Sequence, residues 1–131
     1  MSAIEEFNLA ANDGTDREHQ AQLDLLQKLC LALESGADAA SIHQQFVDLI
    51  DYSEAHFMSE DLLMRMKSYD DYEDHQDDHV HMLEVLRDLA AQPASGRSTL
   101  MTGQTRGMLG IISQHIATRD KRLADYVRQG L

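Results

Sequence analysis

Apolar residues recur every three or four positions in four stretches of the chain, separated by glycine, proline and polar clusters near 13–16, 35–38, 68–71 and 92–98. Each stretch spans roughly 20 to 30 residues, a length typical of helices. The spacing aligns the apolar side chains on one helical face, and no stretch shows the alternation of a strand. The pattern therefore predicts an all-α protein, with four helices in an up-down-up-down antiparallel four-helix bundle.

Capping and breaking residues predict the boundaries of these helices. We expect residues 1–15 to form an N-terminal arm or loop and residues 16–131 to form the bundle domain. Asp38 is a cap-like residue before the second helix, and Pro93 ends the third. The predicted inward positions are His19, Leu23, Leu26, Cys30 and Leu33; Ile42, Phe46, Leu49, Ser53, His56, Glu60, Leu63 and Met64; Tyr72, His75, His79, Met82, Leu86 and Leu89; and Leu100, Met108, Ile112, His115, Leu123 and Tyr126.

Composition and charge narrow the class of protein. The 131 residues suit one domain, and 11 Lys and Arg against 23 Asp and Glu give a net charge of −12, which disfavours nucleic acid and anionic membranes as partners. No apolar run reaches the ~18 residues of a membrane span. A single cysteine, Cys30, and an N-terminus unlike a signal peptide lead us to expect a cytoplasmic location.

Several inward positions are polar, and each would be costly to bury without a partner or a metal. His56 and Glu60 are four residues apart, so both can reach one central point, and His75 and His79 repeat this spacing. Asp120 fits less simply. It follows His115 by five residues, about 140° around an ideal helix, so the two converge only across a broad inward arc or at a local distortion.

At each of these positions a structural role is the alternative to metal binding. A single inward histidine is more often a hydrogen-bonded core residue, and His43 and His81 suit solvent or boundary sites. The acidic run 70–74 is most simply explained as helix-dipole complementation. Five core-facing histidines on four helices resist such separate explanations. With two carboxylates they suit a pair of iron or manganese ions better than a structural zinc ion.

Four motifs stand in order along the chain: Asp16-x-Glu18-His19; His56-Phe57-x-x-Glu60-Asp61-x-x-Met64 with Tyr69; His75-x-x-x-His79; and His115-Ile116-x-x-x-Asp120-x-x-Leu123-x-x-Tyr126. Together they closely resemble the hemerythrin family, over about residues 16–126. The resemblance implies a non-haem di-iron centre whose two iron ions are joined by an oxo or hydroxo bridge.

The resemblance also implies a role for each motif residue. One iron would be held by His75, His79 and His115, and the other by His19 and His56, with Glu60 and Asp120 bridging the two. The iron with two histidines would keep an open position for O2. The residues expected to line the pocket around that position are Gln22, Phe57, Ile112 and Ile116.

The function implied is reversible O2 binding for storage, delivery or sensing, without enzymatic activity. Azide and nitric oxide are further small ligands of such a site, and the sequence does not identify a protein partner. One alternative is a di-iron enzyme with peroxidase, ferroxidase or nitric-oxide-handling activity. Another is a helical interaction module that does not use iron. Gln22 departs from the family, which is usually apolar there, and either faces the cavity or turns outward while Leu23 closes it.

Overall fold

The computed structural model describes residues 3–92 and 99–129, with side chains for residues 16–92 and 101–129. These parts of the chain are helical and contain no strand, as predicted. The elements are α1 (Ala3–Ser35), α2 (Ala39–Met66), α3 (Tyr72–Ala91), α4 (Thr99–His115), a π-helical segment (Ile116–Asp120) and α5 (Lys121–Arg128). Because α4, the π segment and α5 follow without a break, they form the fourth helical rod of the bundle.

The rods pack in the order in which they occur along the chain. α1 packs on α2, α2 on α3, α3 on α4, and α4 returns to α1. This closed ring of neighbours, with short connections between successive helices, is the arrangement of an up-down-up-down four-helix bundle. The predicted fold is therefore confirmed. None of the described helices combines the length and the apolar character needed to cross a bilayer.

The first helix starts earlier than predicted. α1 begins at Ala3, not at Asp16, so Asn12, Asp13 and Gly14 lie inside a helix. These residues are weak helix formers, but each costs at most about 1 kcal/mol relative to alanine, which neighbouring alanines and glutamates can offset. The division of the chain into residues 1–15 and a bundle domain stays a proposal.

Specific caps set the other boundaries. Gly36, with φ +73°, ends α1, and the Ala37 N–H donates to the Ala32 carbonyl at 3.0 Å, as in a Schellman motif. Asp38 caps α2 as predicted, because its carboxylate accepts from the Ser41 N–H at 2.8 Å. Pro93, the predicted end of α3, lies outside the described residues.

The core consists of two apolar clusters with a polar layer between them along the rods. The larger cluster comprises Leu26, Leu29, Cys30, Ile42, Phe46, Leu49, Phe57, Met82, Leu86, Leu89, Met101, Met108 and Ile112. The smaller comprises Met64, Tyr69, Leu123 and Val127. On α2 and the fourth rod, the buried histidines and carboxylates lie between members of the larger and of the smaller cluster. On α3, His75 and His79 lie between Tyr72, which packs against the smaller cluster, and Met82 of the larger.

Most predicted inward positions are buried, with exceptions near the edges of the stripes. Leu23, Leu33, Leu63, Tyr72 and Tyr126 are half-buried, and the side chain of Leu100 lies outside the described residues. Gln22, beside Leu23, is 1% exposed. The inward face of α1 is therefore rotated toward Gln22, so of the two orientations left open by the sequence, the inward one is found.

Candidate metal centre

All seven predicted metal ligands lie in the polar layer and are buried. They come from the four rods: His19 from α1; His56 and Glu60 from α2; His75 and His79 from α3; and His115 and Asp120 from the fourth rod. His43 and His81, which the sequence assigned to solvent or boundary positions, are exposed. The helical spacing therefore brings together the same side chains that the sequence selected.

The seven side chains form two overlapping groups. One contains His75, His79 and His115, and the other contains His19 and His56; both also contain Glu60 and Asp120. Within each group the potential ligand atoms lie within 4.8 Å of one another. We call them the three-histidine group and the two-histidine group. The shared carboxylates give the centre the form of two adjacent cation sites.

Glu60 directs one oxygen to each group. Its Oε1 lies 2.9 Å from His79 Nε2 and 3.2 Å from His75 Nε2, both in the three-histidine group. Its Oε2 lies 3.1 Å from His19 Nε2 and 3.4 Å from His56 Nε2. A carboxylate placed in this way can bridge two cations with its two oxygens.

Asp120, like Glu60, directs one oxygen to each group. Its Oδ1 lies 2.9 Å from His115 Nε2 and 3.0 Å from His75 Nε2, whereas its Oδ2 lies 2.8 Å from His19 Nε2. Both carboxylates therefore connect the same two groups, from α2 and from the fourth rod respectively.

The π segment explains how Asp120 reaches the centre. The Lys121 N–H bonds to the Ile116 carbonyl, an i to i+5 hydrogen bond that widens the turn between His115 and Asp120. A residue five positions along is then roughly one turn later, rather than about 140° away as in an ideal helix. Of the two possibilities that the sequence left open, the local distortion is the one found.

Many buried polar atoms of this layer have no hydrogen-bond partner within the protein. This shortage fits a site that binds a pair of metal ions. Both ring nitrogens of His56, Nε2 of His79 and of His115, and both oxygens of Asp120 are buried without a hydrogen bond. Several of these nitrogens lie near carboxylate oxygens, but not in hydrogen-bonding orientation. No lysine or arginine is buried among the described residues to balance the carboxylates. Cations would satisfy these atoms and offset the cost of burying them.

Without metal, the carboxylates and imidazoles perturb one another. Burial opposes the charged form of Glu60 and of Asp120, but the adjacent histidines outweigh it and hold both carboxyl pKa values well below their usual range. Burial likewise opposes protonation of His19, yet Asp120 and Glu60 raise its pKa to about 10. The same carboxylates raise the pKa of His75 to about 9.

His79 behaves differently from His19 and His75. Its pKa is lowered because burial disfavours the imidazolium more strongly than Glu60 favours it. The metal-free centre thus holds imidazolium–carboxylate pairs at neutral pH, and a metal would displace their protons.

Gln22 lies one turn after His19 on α1, and its Nε2 donates to Ser53 Oγ at 2.9 Å. Ser53 is fully buried on α2, one turn before His56. This neutral pair therefore adjoins both imidazoles of the two-histidine group. The sequence identified Ser53 as a polar inward position but did not indicate its partner.

The three apolar residues predicted to line the pocket differ in position. Phe57 is buried and stacks on His79, with ring centroids 4.0 Å apart and an interplanar angle of 7°, and it also meets His56 at 5.7 Å. Ile112 is buried in the larger apolar cluster, and Ile116 is half-buried against it. Phe57 thus covers the three-histidine group and borders the other. The role of all three in binding a ligand stays a prediction.

Asp78 contacts the centre from outside and is itself held by Arg119; neither residue was predicted. Asp78 Oδ2 lies 3.3 Å from His115 Nδ1 and accepts from Arg119 Nε at 3.1 Å. Asp78 is 37 residues from His115 along the chain. In the sequence, Asp78 is marked only by its place beside His79 in an acidic stretch. That position does not indicate which residue Asp78 contacts.

Comparison with known proteins agrees with this geometry. A model of the hemerythrin HHE cation-binding domain matches residues 11–127. The chain belongs to the hemerythrin family. It is 30% identical over 106 residues to a bacteriohemerythrin of Methylococcus capsulatus, covering 81% of this chain and 80% of that protein. No solved structure gives a significant match. At the level of the family, hemerythrin domains are non-haem iron proteins that bind oxygen, and typically carriers, which fits the cation sites described above.

Proposed function

We propose that this chain is a di-iron protein that binds O2 reversibly, for storage, delivery or sensing. The observation that carries the proposal is the unequal pair of groups that share Glu60 and Asp120. The group containing His19 and His56 offers one protein ligand fewer than its neighbour, so an ion held there keeps room for an external ligand. When bound, a pair of iron ions supplies the electrons and the open coordination position that O2 requires.

The residues of the chain set the environment of that position. Five imidazoles provide neutral nitrogen donors, while the two carboxylates bridge and balance the charge of the cations. Phe57 and Ile112, with the apolar clusters on both sides, limit the access of water to the layer. A dry site favours reversible binding because it limits proton access to the bound ligand. Azide and nitric oxide are small enough to serve as probes of the open position. A cytoplasmic location is also part of the proposal.

Two measurements on purified protein test this function. Metal analysis is expected to give about two irons per chain, following from the two ligand groups. Stopped-flow mixing of the reduced protein with O2 is expected to produce a visible absorption band that persists and disappears when O2 is removed. Immediate irreversible oxidation with turnover of an added reductant would contradict reversible binding and support an enzyme instead.

The enzymatic alternative is favoured by one observation, the buried Gln22–Ser53 pair. Hydrogen-bonding groups beside the two-histidine group can hold a water or relay a proton, which promotes reduction of O2 rather than its release. Peroxidase, ferroxidase or nitric-oxide-handling chemistry would then use the same ligands. Stopped-flow mixing of the reduced protein with O2 distinguishes reversible binding from enzymatic turnover.

A further inference from the structure

A chain of charged side chains connects the three-histidine group to the surface. Asp78, on α3, has a side chain that is 42% exposed, and together with His115 it lines a groove of about 520 Å³ between α3 and α4. Its Oδ2 lies 3.3 Å from Nδ1 of His115. The other nitrogen of that ring, Nε2, faces Asp120 at the centre. Asp78 therefore contacts the side of the imidazole opposite to the metal-binding nitrogen.

This contact determines which nitrogen of His115 is free to bind a metal. An ionised carboxylate only accepts hydrogen bonds, so Asp78 favours the tautomer with a proton on Nδ1 and a lone pair on Nε2. A hydrogen bond of this kind also orients the ring and raises its strength as a ligand. Because Asp78 lies on a helix that packs against α4, the packing of the bundle fixes the orientation of the His115 ring.

Arg119 joins the same carboxylate to the π segment. Its Nε donates to Asp78 Oδ2 at 3.1 Å, and its NH1 donates to Asp71 Oδ2 at 3.0 Å. Arg122 NH1 reaches the same Asp71 oxygen at 2.9 Å. Arg119 directly precedes Asp120, so these contacts hold the wide turn that brings Asp120 to the centre. Asp78 thus contacts His115 directly and is linked to Arg119, the residue that precedes Asp120.

We propose that Asp78, held by Arg119, is a positioning residue that sets the metal affinity of the three-histidine group and leaves that of the two-histidine group nearly unchanged. The proposal rests on the two cation sites of the proposed function, but not on O2 binding. Loss of a partner of this kind typically costs about 10 to 100-fold in metal affinity. The Asp78→Asn variant is therefore expected to weaken one site by that factor and the other by less than about twofold.

The test is a titration of metal-free protein with Co²⁺, followed by visible absorption and calorimetry, for wild type, Asp78→Asn and Asp77→Asn. Asp77 is the neighbouring exposed acid on α3, so its variant makes the same charge change beside Asp78 and is expected to match wild type. Selective weakening of one binding step in Asp78→Asn alone supports the proposal. Equal weakening of both steps, or the same small effect in both variants, overturns it.

Two further measurements separate positioning from a merely structural role. In zinc-loaded protein labelled with ¹⁵N-histidine, the Nδ1 proton of His115 is expected to exchange slowly in wild type and faster in Asp78→Asn. Arg119→Lys keeps the charge but loses the two-pronged contact, and is expected to weaken the same site. Unchanged exchange together with unchanged affinity in Arg119→Lys would contradict the proposal. If wild type bound only one Co²⁺, weaker binding of that ion in Asp78→Asn but not in Asp77→Asn would support the proposal, and unchanged binding in Asp78→Asn would overturn it, whatever the outcome with O2.

Discussion

At the residue scale, Glu60 contacts four of the five imidazoles of the centre, because each of its two oxygens lies near two of them. Glu60→Ala is expected to lose both ions or to retain one weakly, with a loss in metal affinity of more than about 100-fold, since a bridging carboxylate holds both cations and balances their charge. Metal analysis and the visible spectrum measure this. Glu54→Ala removes an exposed carboxylate from the same helix and should retain the metal. A Glu60→Ala protein that retained two irons and an unchanged visible spectrum would contradict the bridging role of Glu60.

Gln22 is the residue whose consequence for O2 chemistry is most specific to this chain. Its amide is buried one turn from His19 and bonded to Ser53, so it supplies a hydrogen-bonding group where an apolar side chain would supply none. We expect Gln22→Leu to slow irreversible oxidation of the O2-loaded protein severalfold, because a nearby polar group or a water held by it delivers protons.

The measurement is the decay of the O2-dependent absorption band at fixed iron content. Gln20→Leu, which changes an exposed amide on the same helix, serves as the matched control and should decay like wild type. Ser53→Ala removes the partner of the amide, so the double variant Gln22→Leu/Ser53→Ala tests whether an unpaired Ser53 hydroxyl masks the effect. Identical decay in all variants would show that this pair has no influence on the ligand.

At the scale of elements, the π segment compensates for the five-residue spacing between His115 and Asp120, which a regular helix of the same length would leave about 140° apart. Deleting Ala117, an exposed residue inside Ile116–Asp120, leaves Asp120 four positions after His115, so a regular α-helix would place the two about 40° apart and keep Asp120 near the centre. The deletion removes the extra residue of the π turn, so Leu123 and Val127 keep their register. A second variant inserts an alanine after Ala117, which rotates Asp120 by about 100° away from the centre.

The deletion variant should bind two metal ions, as should Ala117→Leu, a substitution at the same exposed position, whereas the insertion variant should bind fewer. Metal analysis and circular dichroism separate loss of the site from loss of helix. Full metal content in the insertion variant, or loss of metal from the deletion variant with its helix intact, would mean that the π turn does not set the position of Asp120.

The bundle and the cluster of seven side chains could be predicted because helical periodicity is local. His56 with Glu60 and His75 with His79 share a face whatever the tertiary structure, so their convergence follows from spacing. Other features depend on contacts between distant elements. The rotation of α1 that buries Gln22 is set by its packing on α2, and the contact between Asp78 and His115 joins positions on different helices. The start of α1 was missed because weak helix formers at residues 12–14 do not end a helix on their own.

At the scale of the whole molecule, the polar layer makes folding and metal binding depend on pH in opposite ways. In the metal-free protein the pKa of His19 is about 10 and that of His75 about 9, both above the ordinary value near 6.5. Such groups stabilise the fold fully below about pH 6.5 and lose that contribution as pH rises through 9 to 10. Glu60 and Asp120, with lowered pKa values, contribute above about pH 4.5 and lose their contribution as pH falls.

A metal requires the same imidazoles to be neutral, so loading near pH 7 is expected to release about two protons, from His19 and His75. Metal affinity should therefore rise by up to about 100-fold per pH unit around pH 7. Thermal unfolding between pH 6 and 9 is expected to show the metal-free protein losing stability as pH rises, while the zinc-loaded protein does not. Calorimetric titration in buffers of different ionisation enthalpy counts the protons directly. Parallel unfolding curves with no proton release would mean that the imidazoles are already neutral before the metal binds, and that the carboxylates of Glu60 and Asp120 do not hold them protonated.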